Sequence, residues 1–142
     1  MNQYQKFYSE IDLLLKAYRA TLKNAFANEG IKISIDQWLV LNAIGKDEGI
    51  SQKEIADITA KEPAAVMRML DSMTEKDLIA RIPTKEDRRK YQIILSREGR
   101  QIYSKLSKVV QEVNKRGLKQ FDFDQLNILN AYCRQIKTDL KD

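Results

Sequence analysis

The chain has 142 residues, a length that fits one ordinary domain able to bury roughly 68–70% of its unfolded surface without a disulfide or metal staple. No apolar run approaches the ~20 residues that span a bilayer, the first ten residues lack the apolar stretch of a signal peptide, and the single cysteine, Cys133, leaves no intrachain disulfide to form, so a cytoplasmic protein is expected. A net charge of +5 favours an anionic partner, and the absence of histidine removes both the commonest general base and the imidazole ligands of a metal site.

With two prolines and five glycines, helices should dominate. The first runs from about Tyr4 to Asn28, because Phe7, Ile11, Leu14, Leu15, Tyr18, Leu22 and Phe26 recur at the three- and four-residue steps of one helical face. Gly30 stops it. Ser34 and Gln37 form a capping box, in which each side chain satisfies the other residue's backbone N–H, and the helix they open is expected to bury Trp38, Leu39, Leu41 and Ile44. Ser51 and Glu54 form a second box, opening a short helix with Ile55, Ala56 and Ile58 that Thr59 to Lys61 and Pro63 interrupt within two turns.

The next helix spans about Glu62 to Lys76, with Pro63 tolerated in its first turn and with Thr59 and Glu62 competing as the cap. Val66, Met69, Leu70 and Met73 form its inner face, while Ala65, Arg68 and Ser72 point away. The period then changes. Leu78 to Pro83 and Tyr91 to Leu95 are short β-branched-rich runs, predicting a β-hairpin with a long tip at Thr84–Lys90. Residues 81–90 hold five basic side chains against two acidic ones, whereas residues 1–50 balance. Ser96 caps a long helix carrying Ile102, Leu106, Val109, Val110 and Val113, and Asp122 with Gln125 opens a last one carrying Leu126, Leu129, Cys133, Ile136 and Leu140.

Two short helices joined by a tight turn and followed by a basic hairpin make a mainly α fold with a small β-hairpin wing: a winged helix-turn-helix. A helix of this size fits the major groove of B-DNA, where every base pair shows its own donor and acceptor pattern. A basic hairpin tip reaches the adjacent minor groove or the phosphates. The expected DNA-facing set is Gln52 and Lys61 in the motif, Ala64, Ala65 and Arg68 on the second helix, and Lys85, Arg88, Arg89 and Lys90 on the wing. Arg68 suits a guanine edge and a small alanine suits a thymine methyl. The carboxylates and lysines sit at helix-surface spacing and the chain has no Gly-rich phosphate loop, so an enzyme is not indicated and no cofactor is expected.

The stretch from Ser51 to Arg100 resembles the core of the multiple-antibiotic-resistance-regulator (MarR) family of bacterial regulators. The matching residues are Ile35-Asp36-Gln37-Trp38-Leu39-Val40-Leu41, Ser51-Gln52-Lys53-Glu54-Ile55-Ala56, Val66, Arg68, Leu70-Asp71, Lys76-Asp77-Leu78-Ile79, Asp87-Arg88-Arg89 and Leu95-Ser96-Arg97-Glu98-Gly99-Arg100. Each piece alone is weak; their order and spacing together are specific, and the flanking helices extend the likeness over nearly the whole chain. The sequence departs from the family pattern at Glu62 to Ala65, where small polar residues are common, and at Asp77, where glycine is usual.

The resemblance implies one domain over residues 1–142, with a DNA-binding lobe at 34–96 and dimerisation helices at 1–30 and 97–142. It implies a repressor that binds double-stranded pseudopalindromic operators as a homodimer, with half-sites ~10 bp apart. It places Arg89 in the minor groove, held by an ion pair to Asp87, with Lys85, Arg88 and Lys90 as phosphate partners. It also implies release by a small lipophilic or phenolic effector, although Tyr18, Phe26, Trp38 and Tyr103 sit at core spacing and no ligand site follows from them. Cys133 lies on an apolar face far from the N-terminal helix and is expected to be an inert, buried thiol. The alternative reading is a winged-helix module for protein–protein contact without base reading, for which a basic wing tip has no use.

Overall fold

The computed structural model describes residues 1–141, and its fold is mainly α-helical with a small β-hairpin wing. The chain divides into two compact units, Met1–Val110 and Gln111–Asp142, taken separately below. Among the described residues no helix is long and apolar enough to cross a membrane.

The first unit opens with α1 (Gln3–Asn28), which starts one residue earlier than its apolar period because Asn2 and Gln5 form a capping box. Only its C-terminal part is inside: Leu22 and Phe26 are buried, while Phe7, Leu14 and Leu15 lie in solvent. The α2 helix (Ile35–Lys46) begins at the Ser34–Gln37 box as expected, with the Gln37 amide 3.0 Å from the Ser34 hydroxyl. It buries Trp38, Val40, Leu41, Ala43 and Ile44, and Leu39 is only half-buried. Val40 therefore takes the inner place expected for Leu39, because α2 is covered on more than one side and its burial does not follow a single stripe.

A two-residue strand that the sequence pattern did not show, β1 (Ile50–Ser51), precedes α3 (Gln52–Thr59). It pairs antiparallel with the wing, Ile50 opposite Ile93 and Ser51 opposite Gln92. Gly49, at φ +93°, turns the chain so that its amide reaches the Ile93 carbonyl at 2.9 Å, a backbone conformation that side chains oppose. Ser51 then caps α3 through the amide of Glu54.

The α4 helix (Pro63–Glu75) follows a turn closed by Ala60 in the left-handed region. Glu62 occupies the N-cap position but its side chain makes no capping bond, and the Thr59 hydroxyl donates back to the Ile55 carbonyl instead. Val66, Leu70 and Met73 are buried as their spacing predicts, with Met69 half-buried. Strands β2 (Ile79–Pro83) and β3 (Tyr91–Leu95) pair antiparallel with Ile79 opposite Leu95 and Pro83 opposite Tyr91, in the sheet order β1-β3-β2. Pro83 ends an outer strand, where its missing N–H removes no ladder bond.

The sheet is tied to α5 (Arg97–Leu118) at one compact joint. The Ser96 hydroxyl donates to the Asp77 carbonyl at 2.6 Å and accepts from the Gly99 amide at 3.0 Å, and the Ser96 amide donates to the Leu78 carbonyl at 2.9 Å. A Cβ on Gly99 would run into the Leu78 carbonyl oxygen, so glycine is required for the approach. Leu106 is buried, and Tyr103 stacks on Trp38 with ring centroids 5.9 Å apart, while Phe26 meets the same indole edge-on.

In the second unit, α6 (Phe123–Leu140) opens at the Asp122–Gln125 box, as expected. It buries none of its residues. Cys133, expected to be buried, is exposed, because the apolar face that carries it is uncovered in the single chain.

Candidate nucleic-acid interface

On α4 the inner face at Val66, Leu70 and Met73 leaves Ala64, Met67, Arg68 and Asp71 on the outer side, one helical turn apart in sequence. Ala64 and Arg68 are exposed as expected; Ala65 is half-buried, displaced from the outward stripe by its position beside Val66. Arg68 makes no salt bridge among the described residues. Gln52, in the first turn of α3, is half-buried.

The wing tip is built by its own hydrogen bonds. The Thr84 amide donates to the Lys90 carbonyl at 2.9 Å and the Lys90 amide to the Asp87 carbonyl at 3.0 Å, closing the loop. The Thr84 hydroxyl donates to the Asp87 carbonyl and accepts from the Asp87 amide, at 2.6 and 3.1 Å. The Asp87 carboxylate accepts from the Arg89 backbone amide at 3.0 Å and from Arg89 Nε at 3.3 Å. The Arg89 backbone amide, then its side chain, holds the Asp87 carboxyl below the usual carboxylate range, with the charge of Lys90 adding to the effect.

The Asp87–Arg89 contact is a single-point one through Nε rather than a bidentate fork, and the Arg89 side chain is 92% exposed. Its terminal nitrogens thus stay available to an acceptor outside the protein, while the aspartate fixes the base of the side chain. Lys85, Arg88 and Lys90 surround it, exposed and without salt bridges among the described residues.

Two features of this surface were not in the expected set. Arg81 of β2 reaches α4, with Nη1 2.7 Å from Asp71 and Nη2 3.4 Å from the Met67 carbonyl, so the wing strand is tied to the outer face of the helix. No spacing rule could have paired residues on a helix and a strand; only the α4–β2 packing brings them together. Met67, exposed on the same outer side of α4, is the second. Conversely Lys61, expected to face DNA, has its ammonium 2.8 Å from Asp36 of α2, with its side chain only 16% exposed.

A model of the MarR family matches residues 30–90, which span α2 to the wing tip. The chain is 24% identical over 135 residues to the HTH-type transcriptional regulator SarZ of Staphylococcus aureus, covering 95% of this chain and 81% of that protein. A mutant MarR from E. coli, complexed with operator DNA, superposes with a TM-score of 0.81 at 19% identity, covering 96% of this chain and 98% of that one. The Staphylococcus aureus MarR in complex with salicylate and kanamycin gives 0.79 at 23% identity, covering 96% and 91%. At these identities the two structures establish the fold alone. Residues 30–90 thus match the MarR family of DNA-binding transcriptional regulators, and the chain as a whole is similar to regulators that share its winged helix-turn-helix fold.

Proposed function

We propose that the protein is a homodimeric repressor in which α4 enters the major groove of a pseudopalindromic operator while the wing places Arg89 in the adjacent minor groove. The observation that carries this reading is the wing tip itself, where a guanidinium anchored at one end by Asp87 projects 92% exposed among three further cations. Narrow minor grooves concentrate negative potential and attract such a group. Ala64, Ala65 and Arg68 are the base-facing side of α4 in this reading, Lys85, Arg88 and Lys90 contact phosphates, and Gln52 approaches the backbone from α3. The E. coli relative bound to operator DNA supports the docking mode.

Dimerisation falls to α1 and the C-terminal helices, whose apolar side chains at Phe7, Leu14, Leu15, Phe123 and Leu129 are exposed in the single chain. With a two-fold axis, the half-sites lie ~10 bp apart. The salicylate-bound relative supports release by a small phenolic or lipophilic molecule.

The test is a salt-controlled anisotropy titration on duplexes selected from the source genome. Arg89→Ala is expected to weaken operator binding by roughly 1–3 kcal/mol per subunit. Unchanged affinity refutes the wing assignment, and a wild type without preference for any duplex refutes the reading as a whole.

A further inference from the structure

The junction of α1, α2 and the turn before α4 holds a charge cluster apart from the wing tip. Asp36 lies in the first turn of α2, and its Oδ1 is 2.8 Å from Lys61 Nζ and 3.5 Å from Arg19 Nη1. One carboxylate oxygen therefore serves two cations from two other elements. The three residues are far apart in sequence, 25 positions from Asp36 to Lys61, so the cluster is a tertiary link and not a neighbour pair on one helix.

Each end of this link is placed to matter. Lys61 stands two residues before Pro63, the first residue of α4, in a turn whose backbone is already closed: Ala60 is left-handed at φ +53°, and the Lys61 amide donates to the Ala56 carbonyl at 3.1 Å. The Lys61 side chain, folded inward onto Asp36, ties this turn to α2, in addition to the packing of α4 against α2, α3 and β2. Arg19 comes from α1 one turn before Leu22, where the helix passes from its exposed apolar stretch to its buried end.

An exposed ion pair contributes little. Here, though, one partner is largely withdrawn from water, and a lysine gives up its hydration only where a specific anion receives it.

We propose that Asp36 is a positioning residue, a shared anchor through which Lys61 and Arg19 fix the start of the recognition helix to α1, and that Lys61 serves this link rather than a phosphate. In the dimer read above, α1 is part of the pairing surface, so the anchor sets where each recognition helix stands relative to the two-fold axis. The inference rests on that reading of function. It assigns to Asp36 a part in half-site spacing, which no residue in direct contact with DNA would have.

Five variants and one pair of operators test it. Asp36→Asn and Lys61→Met each remove one charge and keep the shape, their double variant closes a cycle, and Arg19→Gln cuts the other leg from an exposed side chain, should either of the first two fail to fold. Affinity is measured on the selected operator and on a copy with one base pair inserted between half-sites, across a salt series. Each single variant and the double are expected to lose about tenfold on the operator, the double no more than the singles. The salt slope should stay at the wild-type value and discrimination against the inserted base pair should shrink. Asp36→Glu, which keeps the anion, should restore that discrimination.

If Lys61 instead binds phosphate, Lys61→Met will lower the salt slope by about one per subunit while Asp36→Asn leaves binding intact, and the proposal fails. It fails equally if the variants bind both duplexes as the wild type does. A wild type that prefers no duplex sinks the reading of function itself, which these outcomes keep distinct from failure of the anchor.

Discussion

Asp87 shapes the wing before it pairs with anything. Its carboxylate accepts the backbone amide of Arg89 at 3.0 Å and its own carbonyl receives Thr84 and Lys90, so the loop geometry and the direction of Arg89 share one origin. Such local side-chain-to-backbone bonds decide loop conformation. Asp87→Asn keeps an acceptor for the amide and loses the ion pair, whereas Asp87→Ala loses both. We expect Asp87→Ala to weaken operator binding by about tenfold and Asp87→Asn by less, while affinity for a scrambled duplex holds or rises because a negative charge has left a basic wing tip. Equal losses on both duplexes in the same titration would mean that Asp87 orients nothing.

Asp36 gives a residue-scale prediction in pH. The hydrogen bond from Lys61, more than the charges of Lys61 and Arg19, holds its carboxyl below the usual range against a smaller opposing effect of burial. A group whose folded-state pKa is depressed stabilises the fold above its unfolded value and loses that contribution as pH falls through the folded value. Wild type should therefore be more stable than Asp36→Asn at neutral pH, and the gap should close only as pH falls below the ordinary aspartate range. Urea midpoints of the two proteins along an acid series measure this, and a gap that persists unchanged into acid would contradict the ion-pair account.

At the scale of elements, what the sequence made legible was whatever is decided locally. Three capping boxes, at Ser34, Ser51 and Asp122, stand where four-residue patterns place them, since a cap is closed by residues three positions apart. The wing strands and tip match because the change of period at Leu78 and the charge block at 81–90 are both local. What was not legible needed a partner from elsewhere. Strand β1 is two residues long and exists because β3 lies beside it; Arg81 meets Asp71, and Lys61 meets Asp36, only after the helices have packed. Leu39 is only half-buried, where it was expected inside, because α2 is covered on more than one side.

The joint between wing and α5 yields the clearest stability test at this scale. Asp77 sits at φ +60°, a left-handed conformation that costs a side-chain-bearing residue about 1–2 kcal/mol, partly returned by the flexibility a glycine adds to the unfolded chain. Asp77→Gly should stabilise the protein by roughly 0.5–1 kcal/mol. Gly99→Ala, by contrast, drives a methyl group into the Leu78 carbonyl and should destabilise by about 1–3 kcal/mol. The two changes lie on one joint and have opposite signs, so calorimetric melting of both variants would expose a mistaken joint at once.

For the whole molecule, the decisive quantity is the apolar surface left in water. Leu13, Leu14 and Leu15 on α1 are exposed, and so, in the other unit, are Phe123, Ile128, Leu129 and Tyr132 on α6; contiguous exposed apolar side chains mark surfaces that partners cover. A homodimer that covers them turns two weak half-site contacts into one strong one, because the second half-site is bound at the high effective concentration set by the first. Sedimentation should give twice the chain mass, and Leu14→Glu should give a single chain whose wing and helix-turn-helix remain folded. Salt then reads the stoichiometry. If the dimer meets ~6–10 phosphates, affinity falls ~10³–10⁵-fold between about 50 and 200 mM salt, and the single chain, with half the contacts, should show about half the logarithmic slope. A Leu14→Glu variant that keeps the full slope would mean that one chain carries the entire interface, and the two-fold arrangement would have to be abandoned.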